Sequence, residues 1–252
     1  MPLKHFRFCL AALSFLLMMT SCSSTEKLKS ALTHPEEVKS LTIKFSLLDS
    51  LPKEISQMTN LKTLYLYKNH LTKIPDEIGQ LKNLETLVIS NNDLTEVPES
   101  IGQLKKLKKL TLRGNALRRL PFEIGELTEL EYLDLQNNQL LELPSTIKYL
   151  KALKFLYLQE NYLQYLPAEI GDLSNLVYFN LGSNALTELP DEIGHLTALN
   201  TLNIAFCGKG ITIPETLRNL QSLEHLYIDE TQRVTYTLET INPRINVVVA
   251  EY

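Results

Sequence analysis

Hydrophobic residues recur along most of the chain in one pattern, which residues 84–106 show most clearly. The apolar positions of this segment are Leu84, Leu87, Ile89, Leu94, Val97, Ile101 and Leu104. Alternation puts Leu87 and Ile89 on one face of a short strand. Thr86, Val88 and Ser90 then point to the opposite face. The pattern therefore predicts a short strand that separates a buried face from a presented face.

The pattern repeats with a period of 23 residues. Two residue types mark it: prolines at Pro52, Pro75, Pro98, Pro121, Pro144, Pro167 and Pro190, and asparagines at Asn69, Asn92, Asn115, Asn138, Asn161 and Asn184. The next asparagine position holds Cys207, and the next proline, Pro214, comes after 24 residues. The extra residue lies between them, where Gly208 and Gly210 indicate a bulged turn.

The asparagine and the proline of each unit are expected to have separate structural roles. An asparagine at the end of a strand enters a tight turn, and stacked units line the amides of these residues into a ladder. Cys207 replaces one rung, where we expect a small buried thiol rather than a reactive cysteine. Pro98 suits the first position of a short helical turn, and an acidic residue behind it, Glu99, favours the positive end of that turn.

The unit 84–106 resembles the leucine-rich repeat in its 23-residue form. The resemblance covers seven units from Leu61 to Ser222, with a weaker unit at 38–60 and a decayed one from Leu223 onward. It implies an α/β fold, a horseshoe-shaped solenoid with a concave parallel β-sheet and short helices or turns on the convex side. One unit cannot fold alone, so stability is expected to come from neighbouring units.

Both ends of such a sheet need a cap, because an open end exposes unpaired strand edges and apolar side chains. Residues 26–32 are predicted to form a helical turn that folds Leu28, Ala31 and Leu32 over the first unit. At the other end, residues 247–249 fall where another strand would pair. The predicted organisation is a lipidated tether and amino-terminal cap at 22–37, repeats at 38–222, and a decayed repeat with a carboxyl-terminal cap at 223–252.

Residues 1–21 have the features of a lipoprotein signal peptide. Lys4 and Arg7 precede an apolar run over 8–19 that is short for a permanent membrane helix. The sequence Met19-Thr20-Ser21-Cys22 resembles the lipobox of bacterial lipoproteins, in which the cysteine receives the lipid. The alternative is an ordinary secretory signal, in which Cys22 has no such role.

A lipidated Cys22 implies a permanent anchor in a bacterial cell envelope. Ser23 follows the cysteine where an Asp would resemble an inner-membrane retention signal, so the outer membrane is favoured. The protein would then face either the periplasm or the cell surface.

Composition and residue placement exclude several classes of function. The formal net charge is −4, so no basic stripe is available to follow a nucleic-acid backbone. Three cysteines, Cys9, Cys22 and Cys207, are too few for a disulfide framework. No histidine lies near a candidate nucleophile, and His225 with acidic neighbours such as Asp229 is better explained as a solvated acidic end than as a metal site. We therefore expect no enzyme activity, no cofactor and no metal.

The presented strand positions carry the predicted binding surface. Its residues are Tyr65, Tyr67, Lys109, Arg113, Tyr132, Asp134, Phe155, Tyr157, Tyr178 and Asn180. Tyr132, Phe155 and Tyr178 occupy equivalent positions in successive units and should stack beside Tyr157 as an exposed aromatic ladder, which is typical of interface anchors. The alternative is that aromatic side chains suit strands and pack across them without a ligand.

These features predict a lipid-anchored envelope protein that binds a protein partner through its concave face. The resemblance implies protein binding as the usual role of the repeat, but the fold serves many ligands. Two alternatives are a periplasmic structural scaffold and a surface protein that binds a glycan. A glycan would stack on the aromatic rings and bond Asp134, Asn180 and Asn203.

Overall fold

The computed structural model describes residues 26–208, 210–230 and 245–250. The predicted signal peptide at 1–21 and the predicted lipidation site, Cys22, lie outside the described residues. No helix in the described part of the chain is long and apolar enough to cross a membrane. The predicted domain boundaries stay predictions.

The described strands form one open, parallel sheet of ten strands in chain order. They are β1 (Ser40–Thr42), β2 (Thr63–Tyr65), β3 (Thr86–Val88), β4 (Lys109–Thr111), β5 (Tyr132–Asp134), β6 (Phe155–Tyr157), β7 (Tyr178–Asn180), β8 (Thr201–Asn203), β9 (His225–Asp229) and β10 (Asn246–Ala250). Equivalent positions of successive units lie side by side, as in the pairing of Leu87 with Leu110. The predicted α/β solenoid with a parallel sheet is confirmed.

Short 3-10 helices lie on the other side of the core, one before β1 and one after each of the strands β1 to β8. They span Pro35–Glu37, Lys53–Gln57, Asp76–Gln80, Glu99–Gln103, Phe122–Glu126, Ser145–Tyr149, Ala168–Asp172, Asp191–His195 and Glu215–Asn219. The repeated leucines and isoleucines lie between these helices and the sheet, and Leu87, Ile101 and Leu104 have no exposed surface. The core is therefore one continuous stack rather than a set of separate units.

The predicted asparagine ladder is present, and Asn138 shows its bonds. Its Nδ2 donates to the carbonyls of Leu112 and Leu135, both at 3.0 Å, and its Oδ1 accepts the Leu117 N–H at 3.1 Å. Because Leu112 belongs to the preceding unit, each rung also joins two units. The side chain is buried, so these bonds satisfy backbone groups that water does not reach.

The prolines occupy a different position from the predicted one. Pro98 precedes the helix Glu99–Gln103 as its N-cap, with extended backbone angles (φ −68°, ψ 149°). Its carbonyl accepts the Ile101 N–H at 3.0 Å, and a proline has no N–H of its own to satisfy. The prediction that Pro98 is the first helical residue is therefore wrong, whereas Glu99 does lie in the first turn.

Both described ends of the solenoid are covered. Residues 26–31 form a helix, α1, in which Leu28 is buried, while Ala31 and Leu32 pack against the core. At the other end β10 pairs in parallel with β9 over five residues and includes the predicted pairing position at 247–249. The helix α1 therefore covers the apolar side chains of the first unit, and β10 satisfies the backbone groups at the edge of β9.

Candidate binding surface on the concave face

The strand register brings most of the predicted site residues together. One row across the sheet holds Lys109, Tyr132, Phe155 and Tyr178, which pair in succession. The next row holds Thr111, Asp134, Tyr157 and Asn180. Because both rows point away from the leucine core, they belong to the concave face.

Four rings form a contiguous cluster, which we call the aromatic ladder (Tyr132, Phe155, Tyr157 and Tyr178). The centroids of Tyr132 and Phe155 are 6.1 Å apart. The ring of Tyr157, from the second row, lies 5.2 Å from that of Tyr132 and 4.9 Å from that of Tyr178. All three pairs are tilted and lie within the range of favourable aromatic contacts. Part of the predicted stacking is present, because Tyr132 contacts Phe155 and Tyr157, whereas Tyr178 contacts Tyr157.

The aromatic ladder is less exposed than predicted. Phe155 is 37% exposed, whereas Tyr132, Tyr157 and Tyr178 are half-buried. The reason is mutual contact, because each tilted ring covers part of the next. Burial raises the pKa of Tyr132, with a further contribution from the Asp134 carboxylate, and burial also raises the pKa of Tyr157. Both phenols therefore stay protonated at neutral pH and can donate hydrogen bonds.

Two basic residues border the aromatic ladder on its amino-terminal side. Lys109 Nζ lies 4.5 Å from the centroid of the Tyr132 ring, in cation–π contact. Arg113 is exposed on the same face, in the same unit as Lys109. The apolar surface of the aromatic ladder is therefore continuous with a positively charged surface formed by Lys109 and Arg113.

Asp134 and Asn180 do not present their side chains as predicted. Both are buried, and each accepts a backbone N–H two residues on, from Gln136 and Gly182 respectively, at 3.1 Å. Asn203 makes the same bond to the Ala205 N–H at 3.0 Å. Short polar side chains at the end of a strand form such turns readily. Burial raises the pKa of Asp134, and these side chains shape the turns rather than extend toward a ligand.

Tyr65 and Tyr67 lie apart from the aromatic ladder, in what we call the amino-terminal cluster (Lys44, Phe45, Tyr65, Tyr67 and Lys68). The rings of Phe45 and Tyr67 meet edge to face at 5.6 Å. Lys68 Nζ lies 5.4 Å from the first ring centroid and 5.5 Å from the second. Lys44 Nζ lies 5.7 Å from the centroid of Tyr65. The strands β3 and β4 separate this cluster from the aromatic ladder.

Sequence reasoning missed Phe45. It is 57% exposed and has a positive φ of 52°, which is uncommon for a bulky residue. The equivalent positions of later units hold Lys68, Asn91 and Gly114, also at positive φ. The sequence did contain a signal for this residue, because Phe45 is a large apolar residue at a position that holds lysine, asparagine or glycine in the next three units.

The predicted acidic end is smaller than expected. Asp229 is buried and its carboxylate accepts the Phe206 N–H, so it does not belong to a solvated acidic surface. His225 is half-buried. Within the described residues, the potential metal ligands that come close together are His34, Glu36 and Glu37, whose ligand atoms lie within 4.8 Å of one another. All three are exposed on one short turn, an arrangement that is common without an ion.

Comparison with protein families gives two matches. The model described as a leucine-rich repeat region matches residues 38–131 and 106–177, which together exceed half of the chain. A second model, described as a leucine rich repeat, matches residues 152–208. No curated protein matches the chain.

Many solved structures are similar to the chain, and two of them are plant receptors. The ectodomain of the plant membrane receptor kinase GASSHO1/SCHENGEN3 from Arabidopsis thaliana, in complex with Casparian strip integrity factor 2, is 30% identical with a TM-score of 0.67, and the match covers 75% of this chain and 24% of that one. The plant peptide hormone receptor RGFR1, in complex with RGF2, is 28% identical with a TM-score of 0.57 over 77% of this chain and 37% of that one.

A third structure is an internalin from Listeria monocytogenes, which is 20% identical with a TM-score of 0.69. That match covers 89% of this chain and 73% of the internalin, and it shows the fold alone. The chain spans about a quarter of the length of the Arabidopsis ectodomain, at 24%.

Proposed function

Because the chain belongs to the leucine-rich repeat family, we propose that it is a binding protein rather than an enzyme and that it recognises a protein partner on its concave face. The aromatic ladder is the observation that carries this proposal. Its four rings are contiguous, and Phe155 is the most exposed of them. Binding energy at interfaces is concentrated in a few aromatic and arginine residues, and this surface holds both types.

The two plant receptors support the same proposal. Each is more than a quarter identical to this chain, and each was solved in complex with a second molecule, Casparian strip integrity factor 2 in one case and RGF2 in the other. This chain covers only part of their length, so its own partner is inferred from its own surface. That surface is a concave sheet with an apolar centre and a positively charged amino-terminal side.

The aromatic ladder can be tested by site-specific cross-linking in cells. A photoreactive phenylalanine analogue at position 155 should form an adduct with one specific protein, because Phe155 is the exposed member of the ladder. The matched control carries the analogue at Phe122, which is 66% exposed and follows Pro121 outside the sheet. Mass spectrometry identifies the adducts.

Replacing Tyr132, Phe155 and Tyr178 by Ala should weaken binding of the captured protein more than about tenfold. Circular dichroism would show that the variant remains folded. Adducts that form equally from position 122, or binding that survives the triple substitution, would argue against this surface. A scaffold without a specific partner would give no site-specific adduct.

The glycan alternative has less support. Its expected polar contacts were Asp134, Asn180 and Asn203, and all three side chains already bond backbone N–H groups. A sugar hydroxyl would have to compete with these bonds, which hold the turns. The aromatic rings by themselves suit a protein partner at least equally well.

We further propose that a lipid on Cys22 anchors the protein in the cell envelope, with the outer membrane favoured. The support is the sequence Met19-Thr20-Ser21-Cys22 and the apolar run before it. The helix α1 begins at residue 26, so the four residue steps from Cys22 would hold the start of α1 within about 14 Å of the lipidated residue. Membrane fractionation of a Cys22→Ser variant tests this anchor.

A further inference from the structure

The amino-terminal cluster belongs to the first two units, which follow α1 along the chain. Phe45 and the neighbouring Leu47 are each 57% exposed. Ser46, between them, is buried, and its hydroxyl donates to the amide oxygen of Asn69. The turn that carries the two apolar side chains is therefore fixed by the fold, and it holds both of them on the outside of the protein.

Folding alone does not explain a phenylalanine at position 45. Its φ of 52° lies in the left-handed region, which bulky residues rarely adopt. The equivalent positions of the next units hold Lys68, Asn91 and Gly114. The ring makes an edge-to-face contact with Tyr67, but the side chain stays largely outside the core. An exposed aromatic ring at an unfavourable backbone position points to contact with something other than this chain.

The charges around the rings favour an anionic surface. Lys44 and Lys68 each hold their Nζ atom within 5.7 Å of a ring centroid of the cluster. Residues 44–50 include one acidic residue, Asp49, so with the two lysines the balance is one positive charge. Aromatic rings with neighbouring lysines are typical of the membrane interface, where the rings lie at the headgroup level and the ammonium groups reach lipid phosphates.

The path of the chain brings the proposed anchor to the same end of the solenoid. Lys27 and Ser30 of α1 line one cavity with Ser40 and Thr42 of β1, so the helix lies beside the strand. The cluster begins two residues after that strand ends. Because Cys22 would lie within about 14 Å of the start of α1, the tether keeps the first units near the bilayer surface.

We propose that the amino-terminal cluster docks on the anionic phospholipid membrane in which Cys22 is anchored. Phe45 and Leu47 enter the headgroup region, and Lys44 and Lys68 bind lipid phosphates. The inference goes beyond the proposed partner binding. It rests on the proposed anchor, because a short tether gives the cluster a high effective concentration of membrane.

The polar turns of the later units limit this contact to one corner of the solenoid. Where the first unit has Leu47, the next two have His70 and Asp93, which are exposed and bonded to each other at 3.2 Å. In the neighbouring row, the third and fourth units have Asn91 and Gly114. Docking therefore orients the solenoid and leaves the aromatic ladder in water, where a partner can reach it.

The test uses the absence of tryptophan from the chain. The Phe45→Trp variant of the full chain is isolated from membranes in detergent and reconstituted into vesicles of phosphatidylethanolamine with phosphatidylglycerol. Its indole fluorescence should shift to shorter wavelength, because the ring leaves water on docking. Lipids with brominated acyl chains should quench this emission, and acrylamide in the aqueous phase should quench it only weakly.

The matched control is Tyr149→Trp. Tyr149 is 52% exposed, and Lys148 Nζ lies 5.4 Å from its ring centroid, but the pair belongs to the convex helix Ser145–Tyr149. The indole of this variant should stay accessible to acrylamide and should not be quenched by brominated lipid. Leu47→Trp provides a second reporter in the docking surface, at a residue outside the left-handed turn position.

Charge variants in the Phe45→Trp chain test the role of the lysines. Lys44→Gln together with Lys68→Gln should lower the ratio of docked to undocked protein about 25-fold, since each cation contributes roughly fivefold at an anionic surface. Lys148→Gln should leave the ratio unchanged. Replacing both lipids by zwitterionic phosphatidylcholine should act in the same direction as the double substitution.

The contrary outcomes can be told apart. Equal access of acrylamide to the indoles of Phe45→Trp and Tyr149→Trp, without quenching by lipid, would place the cluster in water and overturn the inference. Protection of the Phe45→Trp indole from both quenchers would also overturn it, because a second copy of the chain would then cover the cluster. The proposed anchor fails by a different measurement, the fractionation of Cys22→Ser, and the proposed partner binding fails by cross-linking at position 155.

Discussion

Cys207 shows at the scale of one residue how the repeat tolerates a substitution in its ladder. Its thiol donates to the Leu181 carbonyl at 2.9 Å, the same bond that Asn184 makes to the Leu158 carbonyl one unit earlier. The cysteine is fully buried, as the sequence predicted. A thiol has no carbonyl oxygen, so this rung does not reproduce the bond in which the Asn184 amide oxygen accepts the Leu163 N–H at 3.0 Å.

The Cys207 thiol should be unreactive in the folded protein, and it should make the free energy of unfolding depend on pH in the alkaline range. Burial raises the pKa of the thiol, so above about pH 8.5 the unfolded chain loses a proton that the folded chain keeps. The free energy of unfolding should therefore fall as the pH rises from about 8.5 to 10, and Cys207→Ala should reduce this slope.

Alkylation provides the companion measurement, in a variant with Cys9 and Cys22 replaced by Ser. At pH 8 we expect Cys207 to react on the order of a hundredfold more slowly in the folded chain than in concentrated urea. Equal rates in the two conditions would show that the thiol is accessible and that the ladder position is wrongly assigned.

At the scale of the element, glycine lets neighbouring 3-10 helices approach each other. A Cβ on Gly102 would lie 2.7 Å from the Glu123 carbonyl oxygen and 2.9 Å from Glu123 Cβ, both too close for real contacts. Two units further along the chain, Lys148 occupies the position equivalent to Gly102. Nothing in the structure explains how its side chain is accommodated. The distance between neighbouring 3-10 helices is therefore set by close backbone contact at the glycine-containing units and not at the unit that contains Lys148.

Gly102→Ala should consequently destabilise the protein by about 1–3 kcal/mol, the usual cost of overpacking a tight contact. Lys148→Ala is the matched control, because it places the same methyl group at the equivalent position of another unit and should change stability by less than about 0.5 kcal/mol. Urea unfolding of both variants measures the difference. A neutral Gly102→Ala variant would mean that the two helices can separate without loss.

At the scale of the whole molecule, the fold is an open stack whose ends differ. The first unit is covered by Leu28 of α1, and the ninth strand is paired by β10. An anchor at Cys22 would hold the α1 end at the membrane and let the concave face extend away from it. The amino-terminal cluster would then lie nearest the lipid, and the aromatic ladder farther out.

The anchor predicts a clear fractionation result. The unaltered protein should sediment with membranes and resist extraction by high salt, because a lipid chain binds through burial of methylene groups rather than through charge. Cys22→Ser should move it to the soluble fraction, whereas Cys207→Ser is the control and should leave it in the membrane. A Cys22→Ser variant that remains in the membrane would contradict lipid anchoring at this residue.

Part of the candidate surface could be predicted from the sequence and part could not. Alternation assigned Tyr132, Asp134 and Tyr157 to the concave face correctly, because side-chain direction in a strand is a local property. It did not predict that Asp134 and Asn180 are buried, since their cover comes from side chains of neighbouring units. It also did not predict that Tyr65 packs in a separate cluster from the aromatic ladder.

The period of 23 residues determined the solenoid, the strand register, the asparagine ladder and the inward position of Cys207. These follow from repetition, because identical units can bury their apolar faces only against one another. Tertiary structure alone decided which concave side chains are exposed and how the rings tilt. The physical reason is that exposure on a concave face depends on the size of side chains one and two units away, a non-local quantity that the pattern within one unit does not contain.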